Sequence, residues 1–182
     1  MSTFNIHCVA IAGPRQNFFT ELENLFNRVC KDPKTPFSDA AVWWWSFKPF
    51  RPLPHEPVIW VLESSADSLI QKVYKDTPPA TLAGLTKVRG NSGNISEIYL
   101  DHKANQTGVC QAKMAFHELM HNKLQMGNDL HTTTTESGAL GLGRERLDCR
   151  PFGDDLNAAD IRLMAPALEK PISSTKSPTP SE

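Results

Sequence analysis

The sequence predicts an α+β domain: a small mixed sheet packed on one helix that carries a histidine pair, followed by an irregular C-terminal region with a final helix. Three observations carry this reading. Short β-prone runs at 4–12, 41–47, 58–62 and 94–100 are separated by stretches of helical spacing. The run Ala115-Phe116-His117-Glu118-Leu119-Met120-His121-Asn122-Lys123-Leu124 holds two histidines four positions apart, with a glutamate directly after the first. Beyond Gly127 the periodicity gives way to Thr- and Gly-rich sequence.

The elements follow in order. Phe4 to Ala12 alternates around Ile6, Val9 and Ile11 and reads as a strand, ended by Gly13-Pro14. From Asn17 to Lys31, Phe18, Phe19, Leu22, Leu25, Phe26 and Val29 recur at helical spacing with charges between them, so an amphipathic helix is expected. Asp32-Pro33 and Pro36 close it. Ala41 to Phe47 is a β-prone aromatic run with three consecutive tryptophans, read either as an exposed binding surface or as a strand that buries Trp44 on one face. Val58-Ile59-Trp60-Val61-Leu62 is wholly apolar and reads as a buried strand. Ser64-Ser65-Ala66-Asp67 can cap a helix running through Tyr74.

Residues 80–93 are weakly patterned, and 94–100 alternates as a strand. Val109 to Met126 reads as the histidine-bearing helix, stopped by Gly127 as a left-handed cap. The final helix is expected over Leu156 to Leu168, opened by Asp154 and Asp155 and interrupted at Pro166. Residues 1–169 read as a single domain and 170–182, rich in Pro, Ser and Thr, as a tail.

With 182 residues, 40% hydrophobic and 21% charged, the chain is long and apolar enough to bury a core. Its net charge of −1 argues against nucleic acid or an anionic membrane as partner. No apolar run approaches the ~20 residues of a membrane span. Met1 to Cys8 lacks the cationic start and apolar stretch of a signal peptide, so the product is expected to be cytoplasmic as synthesised or exported by a specialised route. The four cysteines, Cys8, Cys30, Cys110 and Cys149, form no C-x-x-C pair and read as buried free thiols rather than as two bridges.

On a helix, positions i and i+4 lie one turn apart on nearly one face, so His117 and His121 can reach one ion. Glu118 lies about 100° further round. It is placed there to take a proton from a water on the metal. This is the H-E-x-x-H pattern of zinc sites. A catalytic zinc needs three protein ligands, and the downstream candidates are Asp129, His131 and Glu136. His131 cannot ligate from the same straight helix, because that would put it about 21 Å from His117 along the axis. The chain must therefore reverse between them.

The order strand, loop, histidine helix, glycine, histidine resembles the metzincin clan within the zincin superfamily of zinc metallopeptidases. Those proteins continue the helix motif through a glycine turn to a third histidine, and many place a methionine turn beneath the metal. Here Gly127, His131 and Met164 (in Leu163-Met164-Ala165-Pro166) stand in matching order. The departure is in spacing: the intervals His121 to Gly127 and Gly127 to His131 are longer, adding roughly one helical turn.

The resemblance implies a zincin-like fold, Zn2+ held by His117, His121 and His131, and Glu118 as the catalytic base. It also implies a peptide or protein substrate paired along an edge strand at 94–100. Asp129 and Glu136 remain alternatives for the third ligand, the latter in a gluzincin-like arrangement. Tyr99 or His102 is a candidate to stabilise a developing oxyanion, against an ordinary strand tyrosine and surface histidine. The run from His117 to Leu124 is also similar to small zincin-type domains among bacterial toxin effectors, which would imply a cognate inhibitor or immunity protein. The function expected is a zinc metalloendopeptidase. The alternatives are the same chemistry on peptidoglycan stem peptides and a non-catalytic zinc-binding interaction domain with Glu118 idle.

Overall fold

The computed structural model describes residues 2–46, 51–88, 94–131, 141–150 and 153–172. Five strands form one mixed sheet: β1 (Ser2–Ala10), β2 (Phe37–Trp45), β3 (Val58–Leu62), β4 (Gly84–Lys87) and β5 (Ile95–Tyr99). Their order is β2-β1-β3-β5-β4. β1 runs parallel to β2 and β3, and β3 runs parallel to β5. Only β4 is antiparallel, to β5. The helices are α1 (Phe18–Cys30), α2 (Leu69–Tyr74), α3 (Gly108–Leu124) and α4 (Ala158–Met164). Among the described residues no helix is long and apolar enough to cross a membrane.

Strand alternation sorts the two faces of the sheet. In-register neighbours Phe4, Ile6 and Cys8 of β1, Ile59 and Val61 of β3 and Ile98 of β5 fall on one face and are fully buried. The apolar stripe of α1, Phe18, Leu22, Leu25, Phe26 and Val29, packs there with α3, and Phe26 meets Phe116 at a ring separation of 4.8 Å. On the other face Glu97 of β5 is fully buried. Its carboxylate accepts from the backbone N–H of Leu69 and Ile70, from Ser68 Oγ and from Tyr99 Oη. A negative charge thus meets the positive end of α2.

α3 is buried nearly all round, as expected of a helix enclosed on several sides rather than laid on a surface. Thr107 caps its start, accepting from the Cys110 N–H at 3.1 Å. Gly108 is required there, since a Cβ would lie 1.9 Å from the Gln16 carbonyl oxygen.

Several expectations are corrected. The triple tryptophan lies on the edge strand β2, so Trp44 is 61% exposed rather than buried, with Phe19 as its aromatic neighbour. The stretch 94–100 is not an edge. β5 lies between β3 and β4, and the edge is β4, a strand in the segment that seemed unpatterned. Gln125, at φ 54°, makes the left-handed cap of α3 instead of Gly127. Asn157, not Asp154 or Asp155, caps α4, in a reciprocal capping box with Asp160. Residues 170–172, read as tail, pack on the domain: Ile172 is buried and its N–H donates to the Pro54 carbonyl. The remainder of the expected tail lies outside the described residues.

The C-terminal segment is fastened by Lys123, which is buried. Its ammonium donates to the carbonyls of His55, Leu168 and Lys170 at 2.8, 3.0 and 2.8 Å. Burial pulls its pKa down to about 7. Truncating it leaves three inward carbonyls without a donor. Lys123→Ala is expected to lose about 2–4 kcal/mol in denaturant titration; a loss below about 0.5 kcal/mol would show that the cation is not a structural tie.

Candidate metal centre

α3 carries His117 and His121 on one side, and the chain brings His131 back to them. The reversal is made at Gln125 and Met126. The Gln125 N–H closes α3 on the His121 carbonyl, Met126 follows with its N–H on that same carbonyl, and a helical turn begins at Asp129. His131 Nε2 then lies 3.2 Å from His121 Nε2, which lies 3.1 Å from His117 Nε2. All three ligand nitrogens fall within 4.8 Å of one another. Nitrogens at about 2.0–2.1 Å from a tetrahedral zinc are separated by about 3.3–3.4 Å. Two of the three separations are therefore already close to what a small divalent cation requires.

The opposite ring nitrogens explain why Nε2 faces inward. His117 Nδ1 is 2.7 Å from the Leu142 carbonyl oxygen, and His121 Nδ1 is 2.8 Å from that of Met126. A carbonyl oxygen only accepts, so both Nδ1 atoms carry the proton and both Nε2 atoms present lone pairs. Two lone pairs at 3.1 Å repel unless a cation lies between them. This is the arrangement by which outer carbonyls fix a metal-binding tautomer.

The carbonyl of Leu142 is itself held from behind. Asp160, fully buried at the start of α4, accepts from the N–H groups of Leu142 and Gly143 at 2.8 and 3.3 Å. Gly141 has no room for a side chain, because a Cβ would lie 2.6 Å from the Asp160 carboxylate. The capping box of α4 thus aims the first histidine through one loop residue. Nothing in the spacing of Asp160 pointed to this role, since the helix start was expected at Asp154 and Asp155.

Glu118 stands outside the ligand group. Its side chain is buried against the edge strand: Oε2 lies 2.8 Å from Thr86 Oγ1, and a Cβ on Gly84 would come within 2.8 Å of Oε1. Thr86 and Gly84 share the face of the sheet that meets α3. Gly84 is therefore small because the carboxylate needs the space. Burial raises the Glu118 pKa to about 8, against the lowering effect of the Thr86 hydroxyl. Burial likewise holds the imidazoles neutral, His117 down to about 3, with His121 and His131 also lowered.

The other residues singled out in the sequence take structural roles. Tyr99 is fully buried and donates its hydroxyl to Glu97 at 2.7 Å, so it is not turned to the histidines. His102 caps the short turn 103–105, with Nδ1 accepting from the Ala104 N–H. Met164 is buried in the hydrophobic core. Asp129 is not part of the ligand group, and Glu136 lies outside the described residues.

Two outcomes follow. Asp160→Asn, which weakens the hold on Leu142, is expected to reduce zinc affinity about 10-fold or more in a competition titration, the usual scale for an outer partner; unchanged affinity would break the proposed link. Without metal, the imidazoles resist protonation in the fold but not in the unfolded chain. As pH falls below 6.5 the unfolded state binds more protons, so stability declines, continuing until His117 itself protonates near pH 3. Glu118, raised to about 8, works in the opposite sense and offsets one imidazole, so from about pH 6.5 to pH 5 the Tm of chelator-treated protein should fall more steeply in the parent than in His117→Asn. Identical slopes for parent and variant would contradict this.

The chain matches no protein-family model, no curated protein and no solved structure. The reading of the centre thus rests on its own geometry: three neutral imidazoles that meet at one point, close enough together to bind a metal ion.

Proposed function

We propose that this protein is a zinc-dependent hydrolase of peptide bonds, a zincin-like metallopeptidase. The observation that carries the reading is the convergence of His117, His121 and His131, with the buried Glu118 next to the first of them in α3 and packed on β4, a strand paired on one side only among the described residues. The donor set supports zinc, since three neutral imidazole nitrogens are the protein ligands of one class of catalytic zinc site.

When bound, zinc supplies a Lewis acid that polarises a carbonyl and acidifies water. The three imidazoles hold it without any proton having to leave, because burial keeps them neutral. Glu118 takes the proton from the attacking water and returns it to the departing amine. Burial alone keeps the metal-free carboxyl reluctant to ionise, and a divalent cation nearby would favour the charged form that takes the proton. Thr86 and Gly84 limit the carboxylate to one orientation.

Substrate recognition follows from the sheet. The outer side of β4 pairs with no other strand among the described residues. An extended peptide can add there by backbone hydrogen bonds. Gly84 and Thr86 of that strand touch the carboxylate. A peptide aligned on β4 is thereby brought beside the base.

Glu118→Gln separates enzyme from binder. The variant should retain zinc, measured by elemental analysis, and lose about 10²–10⁴-fold in cleavage of a peptide library, the usual contribution of a general base. Zinc-loaded parent and variant cleaving at equal rates would refute the role of Glu118. A zinc-loaded parent that cleaves nothing would refute the peptidase reading and favour a binding domain.

A further inference from the structure

Cys110 and Cys149 lie outside the centre just described, yet they meet. Cys110 is in the first turn of α3, and its thiol donates to the carbonyl oxygen of Cys149 at 3.7 Å. The two side chains also influence each other: Cys110 is among the groups that raise the Cys149 pKa. The neighbourhood of Cys149 is rigidly built. Asp154, buried, accepts from the Asp148 N–H at 2.6 Å and donates its own N–H to the Asp148 carbonyl at 2.7 Å. Arg144 pairs with the Asp154 carboxylate at 2.8 Å. Lys113, one turn beyond Cys110, donates to the Asp154 carbonyl. Gly153 packs so closely on this turn that a Cβ would lie 2.2 Å from the Asp148 carbonyl oxygen. Cys149 is thus held beside the Cys110 thiol by a turn whose described ends are bonded to one another.

We propose that Cys110 and Cys149 are a site of disulfide formation, joining the loop that orients the metal-binding histidine to the helix that carries it. His117 lies about two turns along α3 from Cys110, on the same side. The loop running from Gly141 to Asn157 contains both Cys149 and Leu142, whose carbonyl receives the His117 proton. A bond from Cys110 to Cys149 closes that loop on its own helix at both places. It leaves Cys8 untouched, fully buried in the core.

The oxidant is a low-molecular-weight disulfide such as oxidised glutathione. Cys149, the more exposed thiol, loses its proton to solvent and attacks one sulfur of the reagent, expelling one thiolate. Cys110, deprotonated in turn, attacks the Cys149 sulfur and expels the second. Two protein thiols are oxidised and one reagent disulfide is reduced to two thiols. Burial and the neighbouring Cys110 push the Cys149 pKa up to about 12, so the reaction is slow at neutral pH and faster in alkali.

The test uses the full chain equilibrated with reduced and oxidised glutathione mixtures, then alkylated and mapped without reduction. The expected result is one intramolecular crosslink between the peptides carrying Cys110 and Cys149, abolished by Cys149→Ser. The Tm should rise by roughly 5–10 °C, from the constraint placed on the unfolded chain. Crosslinks only to other cysteines or between chains, or two thiols that stay fully alkylatable, would overturn the proposal. A crosslinked form with a lowered Tm would also overturn it, since the native positions would then be strained. None of these readouts depends on metal or on hydrolysis, so the result stands apart from the peptidase reading.

Discussion

Two hydrogen bonds from imidazole to backbone carbonyl organise this protein. His117 Nδ1 to Leu142 and His121 Nδ1 to Met126 fix which nitrogen of each ring is bare and where it points. Neither acceptor belongs to regular structure. One sits in the turn just past α3 and the other in a loop held by Asp160 from α4. The histidine cluster is therefore only as well formed as these two irregular segments. α3 supplies the spacing, and burial on nearly all sides prevents it from rolling and spoiling the aim.

Buried charge holds the irregular segments. Asp160 gathers the N–H groups around Leu142, Asp154 closes the turn at Asp148, Glu97 receives the start of α2, and Lys123 collects three carbonyls near the C-terminal end. Each is an ionisable side chain at or near zero exposure, and each is satisfied by backbone groups from elsewhere in the sequence. A loop cannot bury its own polar groups without such partners. The protein meets that need with single side chains reaching out from helices and strands. Breaking one of them costs more than a lost contact, because the backbone groups left behind are shut away from water.

The same exclusion of water shapes the chemistry. Burial keeps three imidazoles unprotonated and Glu118 reluctant to ionise in the absence of a cation. A divalent ion reverses that balance by attracting the lone pairs and stabilising the carboxylate. The edge strand adds position: Thr86 and Gly84 touch the carboxylate on one side, while the far side of β4 pairs with no strand among the described residues. The buried carboxylate and the edge strand are thereby adjacent on one rim of the sheet.

How much of this was legible in the chain differs residue by residue. The pair His117 and His121, with Glu118 between, could be read directly, because one helical turn is a local geometry that four consecutive steps dictate. The strand 58–62, the stripe of α1 and the extent of α3 within two residues were legible for the same reason: periodicity is local. β4 was not, since four residues with a glycine and a lysine carry no alternation, and pairing with β5 alone makes them a strand. Whether Trp44 is buried or exposed was not legible, because exposure on an edge strand depends on what lies beside it. His131 could be named but not oriented, and Asp160, Leu142 and the meeting of Cys110 with Cys149 were invisible. The sequence by itself determined a helix presenting two imidazoles and a carboxylate. Only the tertiary structure decided the third imidazole, the proton positions and the partner of the base, because each depends on contacts between residues far apart in the chain.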